Sequence, residues 1–534
     1  MRTKIIDLLR KAILENVSIL VSSQENIAFG HYSTNVSFEL SKIWKMSPIE
    51  VAKKLKEEIS AKDTSGLFDK IDVANPGFIN FWLSKKTIQA EFNEILKDKD
   101  KYGKSKLKSK EKIQVEFISA NPTGPLTMAN GRGGFLGDVL SNVLEFTGQK
   151  IEREYYVNDT GNQIITLGKS LLSAVGLIAG DEKFYQGHYI KTWASKNKTF
   201  IRKNQKDPIT IGKKAGKDLL SDIKKIIEKK SGIHFDRYTS EDKNIHKKNF
   251  IKNTIAIFDL KELTYKKDGA VWLKTTHFGD DKDRVLITSD AFPTYFLADS
   301  GHMLETKTRG FIKKILILGP DHYGYVSRIK ASATILGLES LDILVTQAVR
   351  VIKDGVEVKM SKRKGEFITF EEVISEVGVD ATRFFFLMHA PESHMDFDLK
   401  LAKERSVKNP VYYVQYAYVR CGAILQKAKK QKLDKKNLKL NLSLLNSEAS
   451  LRLIRELTKF KEVVLGTAED YQVHRLTRYA SELSHALHNF YEKERIMGEK
   501  DKNLALLRLK LVEATQTILS NTLDLLGIAK PKKM

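Results

Sequence analysis

Apolar positions recur at helical spacing over residues 1–20, but Asp7, Arg10, Lys11 and Glu15 interrupt them, so the pattern predicts an amphipathic helix and not a secretory leader. Helical periodicity returns over residues 48–59, and a short strand pattern covers 77–83. The run KDKDKYGKSKLKSKEK then reads as a solvated linker. From Ile113 the pattern becomes a compact apolar strand (IQVEFIS), a loop rich in Gly and Pro (ANPTGPLTMANG) and a helix over 132–146. That helix buries Leu136, Val139, Leu140, Val143 and Leu144, and a second strand, IEREYYV, follows. Strand, loop, helix and strand in succession predict a βαβ unit of a parallel sheet, with a mononucleotide at the strands' carboxyl ends.

Residues 161 to about 248 read as helical, lysine-rich and poor in strand signals, an insertion between two sheet halves. Strand character returns over 270–274, 284–288, 314–318 and 343–346. Beyond 408 the chain is helical, with one buried face through Val473, Leu476, Ala480, Leu483, Leu487 and Phe490 and another through Leu504, Leu507, Leu511, Ala514, Ile518 and Leu525. The expected fold class is a Rossmann-like α/β parallel-sheet domain over 108–408 with a helical insertion. A small α+β domain over 1–107 precedes it, and an all-α helical bundle over 409–534 follows.

Composition sharpens this picture. Ninety Lys and Arg against sixty-six Asp and Glu give 534 residues a formal charge of +24, which favours a polyanionic partner, most simply nucleic acid. A single cysteine, Cys421, excludes an intramolecular disulfide and cysteine-based zinc modules, and no metal ligands are expected. No uncharged apolar run approaches the ~20 residues needed to span a bilayer. The chain is expected to be cytoplasmic, without a membrane partner, and monomeric.

Two segments carry the candidate chemistry. In VEFISANPTGPLTMANGRGG, residues 115–134, small residues and prolines lead into a helix N-terminus, where unpaired N–H groups suit phosphates. Gly124, Gly131, Gly133 and Gly134 would admit a ligand closely. The alternative is a tight strand-to-helix turn with Asn130 as N-cap. In VKMSKRKGEF, residues 358–367, Lys359, Lys362, Arg363 and Lys364 precede Gly365. Clustered flexible cations before a glycine suit a loop that folds over a triphosphate, and a solvated basic loop is the bland alternative.

Together these segments resemble the HIGH-type and KMSKS-type signatures of class I aminoacyl-tRNA synthetases. More closely, the chain resembles the arginyl-tRNA synthetase family. VEFISANPTGPL, WLKTTHFGDDKDRVLITSD, GPDHYGYVSRIKA, VKMSKRKG, GVDATRFFFLMHAP and NPVYYVQYAYVR follow in that family's order, FGHYSTN and VANPGFINFWLS resemble its additional N-terminal domain, and LLGIAKPKKM resembles its end. The resemblance implies that L-arginine and Mg2+-ATP form an arginyl-adenylate and that the arginyl group passes to tRNA(Arg), which must be bound for activation.

It also assigns residues. Lys362, assisted by Lys359, stabilises phosphates in the transition state, and Thr127 and Asn130 stand at the catalytic positions of the first signature. ATP is held along the HIGH-type region from Ala120 to Asn130, by Pro122, Gly124, Pro125 and Asn130 with Gly131 and Gly133 just beyond it, and by Met360, Ser361 and Lys362 of the second signature. Glu116, Ser119 and Asn121 fall on amino-acid-contacting positions, while Tyr295 and Asp299 fall on the pair facing the guanidinium. Tyr412, Tyr413, Tyr416 and Tyr418 with Arg420 open the helical domain, where Tyr412, Tyr416 and Arg420 are expected to touch tRNA, against the alternative that the tyrosines pack in the core.

There are departures. The two histidines of the first signature are replaced by Thr127 and Asn130, and losing one well-placed donor to a developing anion costs ~3 kcal/mol, or ~10² to 10³ in rate. Ser300, Gly301 and His302 follow Asp299 where the family commonly has Ile, Ala and Tyr, so His302 stands where a hydrogen-bonding ring could replace the tyrosine at the arginine site, against the alternative of a surface or core histidine. Two other readings stand beside the enzyme: a synthetase-like RNA-binding or regulatory protein without adenylation, and a small-molecule nucleotidyltransferase. Intact Lys359 and Lys362 speak against the first, and the long helical C-terminal region against the second.

Overall fold

The computed structural model describes residues 1–24, 26–105, 109–358, 368–431, 433 and 442–534. The first signature sits in the central five-stranded parallel sheet, whose order is Ser340–Val345, Phe311–Leu318, Lys112–Glu116, Lys150–Val157 and Arg237–Ser240. Helix Met128–Phe146 makes the first crossover and buries Val139, Leu140 and Val143 against the sheet, as the apolar pattern predicts. It begins earlier than expected, because Thr127 and not Asn130 is the N-cap.

The helical insertion comprises Asn162–Ala174, His188–Lys196, Lys198–Lys203 and Pro208–Lys225, after which Arg237–Ser240 returns as the sheet's edge strand. Its sequence, RYTS, lacks the apolar alternation that marks a half-buried strand, so the expected all-helical stretch to 248 is corrected here. A three-stranded antiparallel sheet, Thr264–Lys267, Ala270–Leu273 and Arg284–Ile287, follows. Helix Tyr295–Thr308 then covers one face of the central sheet. Beyond the sheet, Val349–Lys353 pairs with Val356–Glu357 and Met395–Asp398.

Ahead of this domain, strands Val21–Ser23, Tyr32–Thr34, Phe78–Leu83 and Phe68–Ala74 form an antiparallel sheet backed by helices such as Pro48–Lys62, which starts on a Ser47–Glu50 capping box. The expected linker is partly pinned: helix Lys85–Asp98 leads into it, Tyr102 is buried, and its ring stacks 6.4 Å from that of Phe460. Residues 106–108 lie outside the described residues. The C-terminal bundle consists of Pro410–Lys430, Glu448–Asp470, His474–Lys493 and Lys502–Leu526.

One apolar core runs through all three regions, and a buried charge ties the sheet domain to the C-terminal bundle at a point. Arg383 meets Asp138 of the first crossover helix at 2.5 Å, donates to the Leu526 carbonyl at 3.1 Å and to the Ser231 carbonyl at 2.9 Å. With both side chains buried, losing one partner strands the other charge. Asp138→Ala is therefore expected to lower unfolding stability by about 3–5 kcal/mol. Denaturant titration checks this, and a loss below about 1 kcal/mol contradicts it.

Candidate active site

Strand alternation sends Ile113 and Val115 toward the crossover helix and Gln114 and Glu116 toward helix Tyr295–Thr308. Register places Gln114 between Glu152 and Lys314, and Glu116 beside Glu154, which itself lies beside Arg237. This face of the sheet is consequently charged and buried. Lys314 Nζ lies 2.6 Å from Glu116 Oε2. His302 Nε2 is 3.3 Å from Glu154 Oε2, its Nδ1 is 3.7 Å from Glu116 Oε2, and its ring stacks on Tyr156 at 4.3 Å. Glu154 also takes Arg309 at 3.3 Å, Arg237 at 3.5 Å and the Thr239 hydroxyl. Burial pushes the Glu154 carboxyl up, but His302, Lys314 and Thr239 outweigh it and hold it well below the usual carboxylate range.

Glu116, Glu154 and His302 have their ligating atoms within 4.8 Å of one another, a spacing a metal would accept. Lys314, Arg309 and Arg237 already supply the compensating charge, so the trio does not suit a cation. The expectation that His302 contacts arginine is corrected by the same geometry. Its ring is only 3% exposed and lies beneath the pocket, because the two carboxylates draw it into the sheet face.

Above this layer the pocket is acidic. Asp299 sits one helical turn after Tyr295, which stands 51% exposed at the start of the helix above the N-cap Thr294. Burial, then the charges of Glu241 and Glu116, push the Asp299 carboxyl up to about 7, although His302 and Tyr325 pull the other way. Glu241 follows the edge strand, is buried, and has His246 Nε2 at 3.2 Å. The Tyr156 hydroxyl faces Glu241 and Asp299, and Asn158 Oδ1 is buried without a hydrogen-bond partner among the described residues. Glu241, Tyr156 and Asn158 were missed by sequence reasoning. The only signal was two acidic residues, Glu241 and Asp242, after a strand too polar to recognise.

The signature loop is built around Glu116. Ile118 and Ser119 adopt left-handed backbone angles of 64° and 39°, which turn the chain so that the Ser119 hydroxyl donates to Glu116 Oε1 at 3.0 Å and accepts from the Tyr156 amide at 3.1 Å. Ala120, the first residue of the stretch expected to hold ATP, faces the protein. It packs half-buried against the apolar core, and its carbonyl accepts from the buried Tyr155 hydroxyl at 2.7 Å. Ala120 thus anchors the loop to the neighbouring strand Lys150–Val157. Asn121 is exposed, Pro122 buried and Pro125 half-buried. Thr127 and Asn130 cap each other: the Asn130 side-chain oxygen accepts from the Thr127 amide at 3.0 Å and its hydroxyl at 2.8 Å, and the Asn130 amide donates to that hydroxyl at 3.4 Å. The missing histidines are thus replaced by a neutral pair that organises the helix start.

Several of the loop's glycines are tightly packed on their Cβ side. A Cβ on Gly131 would meet the Phe370 ring at 2.3 Å, one on Gly134 would meet Ile118 at 2.8 Å, and one on Gly124 would meet the Tyr189 hydroxyl at 3.0 Å. Gly133 is buried beside Ile317. At Gly131 the missing side chain makes room for Phe370, whereas a Cβ on Gly133 would meet Ile317 at an ordinary contact distance of 3.7 Å.

Lys359, Met360, Ser361 and Lys362 lie outside the described residues. Residues following that segment are nevertheless tied to the first signature: the Phe370 amide donates to the Leu126 carbonyl at 3.0 Å, and Thr369 bridges to Thr127. Arg132 adds a second tie, donating to the Gln347 and Ala390 carbonyls at 2.9 Å each.

In the C-terminal bundle, Val411, Val414, Ala417 and Cys421 form the buried face of helix Pro410–Lys430, leaving Tyr412, Tyr416 and Arg420 half-buried. Arg420 reaches His488 Nδ1 at 2.8 Å and lies over the rings of Tyr416 and Tyr491 at 5.4 and 4.9 Å. The Tyr413 hydroxyl meets His485 Nδ1 at 2.9 Å. Burial and Arg420 push the His488 ring down to about 4, so it stacks as a neutral group.

Comparison with known proteins agrees with this arrangement. The family described as tRNA synthetases class I (R), catalytic domain, matches residues 91–385, the arginyl tRNA synthetase N terminal domain matches 1–83, and the DALR anticodon binding domain matches 414–534. The chain is 38% identical to an arginine–tRNA ligase of Citrifermentans bemidjiense over 97% of this chain and 95% of the relative. It is equally 38% identical to that of Syntrophotalea carbinolica, over 95% and 93%. Thermus thermophilus arginyl-tRNA synthetase shares the fold, with a TM-score of 0.81 at 19% identity over the whole of both chains. With three family matches spanning its length and relatives along nearly all of it, this chain belongs to the arginyl-tRNA synthetase family of class I.

Proposed function

We propose that this chain attaches L-arginine to tRNA(Arg) through an arginyl-adenylate. The arginine carboxylate attacks the α-phosphorus of ATP, the bond to pyrophosphate breaks, and a hydroxyl of the tRNA's terminal ribose then takes the arginyl group and releases AMP. Neither step requires a protein nucleophile, so positioning and charge stabilisation carry the catalysis. The observation behind this reading is the acidic pocket: Asp299 and Glu241 crowd together above Glu116 until Asp299 holds its proton to about 7. A guanidinium with five donors and a fixed charge relieves that crowding.

In this reading Asp299, Glu241 and Tyr295 face the guanidinium, while Glu116, Ser119 and Asn121 orient the amino acid. The Thr127–Asn130 cap presents the helix N-terminus to ATP, with Pro122, Gly124 and Pro125 shaping the loop that Ala120 anchors. Lys362 and Lys359 neutralise the phosphates, and the conjunction of Thr369 with Thr127 supports bringing them over the same nucleotide. Mg2+ enters with ATP as the nucleotide's counter-ion. Tyr412, Tyr416 and Arg420, with Tyr413, His485 and His488, offer unpaired anticodon bases a stacking surface. The divisions near 107 and 408, a monomeric state and action in the cytoplasm belong to the same proposal. An RNA-binding protein without adenylation has no use for the acidic pocket.

The function is tested by offering total tRNA and Mg2+-ATP with each of the twenty amino acids. Arginine alone is expected to be charged, and Lys362→Ala is expected to abolish charging while tRNA affinity stays within about twofold. Charging of another amino acid, or equal loss of tRNA binding in the variant, contradicts the assignment.

Asp299 gives a pH signature. A carboxyl raised above the ~3.9 of an unfolded chain makes the folded state bind more protons than the unfolded between about 4 and about 7, so ligand-free stability falls as pH rises through that window. Arginine requires the ionised form, so its KM is expected to fall by up to about tenfold from pH 6 to 8. Asp299→Asn is expected to raise arginine KM by about 10²-fold and to remove both trends. Thermal melts and steady-state kinetics across pH check this, and a pH-independent arginine KM in the wild type contradicts it.

A further inference from the structure

We infer that Lys314 is a positioning residue for arginine selection, acting through Glu116 from inside the sheet. The inference rests on the arginine pocket proposed above. Lys314 stands in the strand Phe311–Leu318, its side chain fully buried on the charged face, level with Gln114 and one alternation from Glu116. Its ammonium lies 2.6 Å from Glu116 Oε2 and makes no hydrogen bond to any described residue, so the contact is ionic.

The neighbouring carboxylate does not depend on it in the same way. Glu154 has His302, Arg309, Arg237 and Thr239 around it. Glu116 has Lys314 at ion-pair distance, with His302 farther off at 3.7 Å. Lys314 therefore claims one oxygen of Glu116. The other, Oε1, is left to the Ser119 hydroxyl at the base of the signature loop. The carboxylate plane is fixed between the sheet and the loop, and Ser119 in turn accepts from the Tyr156 amide beneath the pocket.

This explains a buried cation under a pocket for a cationic substrate. Glu116, Glu154, Glu241 and Asp299 crowd one region, and a carboxylate there without a counter-charge takes up a proton or turns away. Lys314 pairs with Glu116 and keeps it aimed, leaving Asp299 and Glu241 to meet the guanidinium. Removing the ammonium is expected to cost arginine recognition and leave ATP recognition alone, because the nucleotide lies along the helix start at Thr127.

The test is steady-state aminoacylation by the full chain, with separate KM values for arginine and ATP. The variants are Lys314→Met, Glu116→Gln and the double variant Glu116→Gln/Lys314→Met. Wild-type charging of arginine is the control for the pocket itself: if it fails, the proposed function falls before Lys314 is addressed. Lys314→Met is expected to raise arginine KM at least tenfold with ATP KM within twofold. An arginine KM within twofold of wild type, or parallel rises in both constants, overturns the inference. Should the single variant fail to fold, the neutralised double variant decides, since it leaves no stranded charge. Equal arginine KM in Glu116→Gln and the double variant supports action through Glu116, and a further tenfold rise in the double variant overturns it.

Discussion

Charged side chains buried on one face of a parallel sheet are the constraint on which the rest of this molecule depends. Both faces of such a sheet are covered by helices, and the usual solution is apolar residues on each. Here one face keeps that solution, with Ile113, Val115 and the crossover helix. The other carries Glu116, Glu154, Lys314 and Arg237 beneath helix Tyr295–Thr308, which contributes His302 and Glu305 and is followed by Arg309. Unpaired charges at this depth would unfold the sheet or neutralise. Their pairing fixes strand register, helix placement and the floor of the pocket together.

The pocket continues that layer upward with the compensation withheld. Below, each carboxylate has a cation of the protein close by. Above, Asp299 has carboxylate neighbours, and His246 stands against Glu241. The transition from balanced to unbalanced charge occurs across about one helical turn, between His302 and Asp299. The signature loop is fastened to the same layer through Ser119, to the next strand through Ala120 and Tyr155, and to the segment after the second signature through Leu126 and Thr127. Loop and charged layer thus form one connected support.

Much of this was legible in the sequence. The compact apolar strand IQVEFIS and helical periodicity after it marked the central βαβ unit, and long amphipathic helices marked the C-terminal bundle. The edge strand Arg237–Ser240 was invisible because its residues face charge and not core. Glu241, which follows it, was invisible for the same reason. Thr127 was recognised as a departure, but its role as N-cap depends on Asn130 answering three residues later, a pairing that reads differently when the cap is placed at Asn130. His302 was drawn to the pocket by its neighbour Asp299 in sequence. Along a helix, residues three apart share a face but not a depth, and its partners Glu116 and Glu154 come from strands far away in the chain. That Ala120, Gly131 and Gly124 also pack against the protein is visible only once Tyr155, Phe370 and Tyr189 are placed beside them.

The central claim, that an uncompensated acidic pocket awaits a guanidinium, is tested most directly by calorimetric titration at pH 7 in buffers of different ionisation heat. Arginine and its uncharged ureido analogue citrulline are each titrated into the chain with tRNA present. Because Asp299 holds a proton to about 7, arginine binding is expected to release roughly half a proton per site. Citrulline is expected to release none and to bind at least about 10²-fold more weakly. Equal affinities for the two, with no buffer-dependent heat for arginine, would contradict the account.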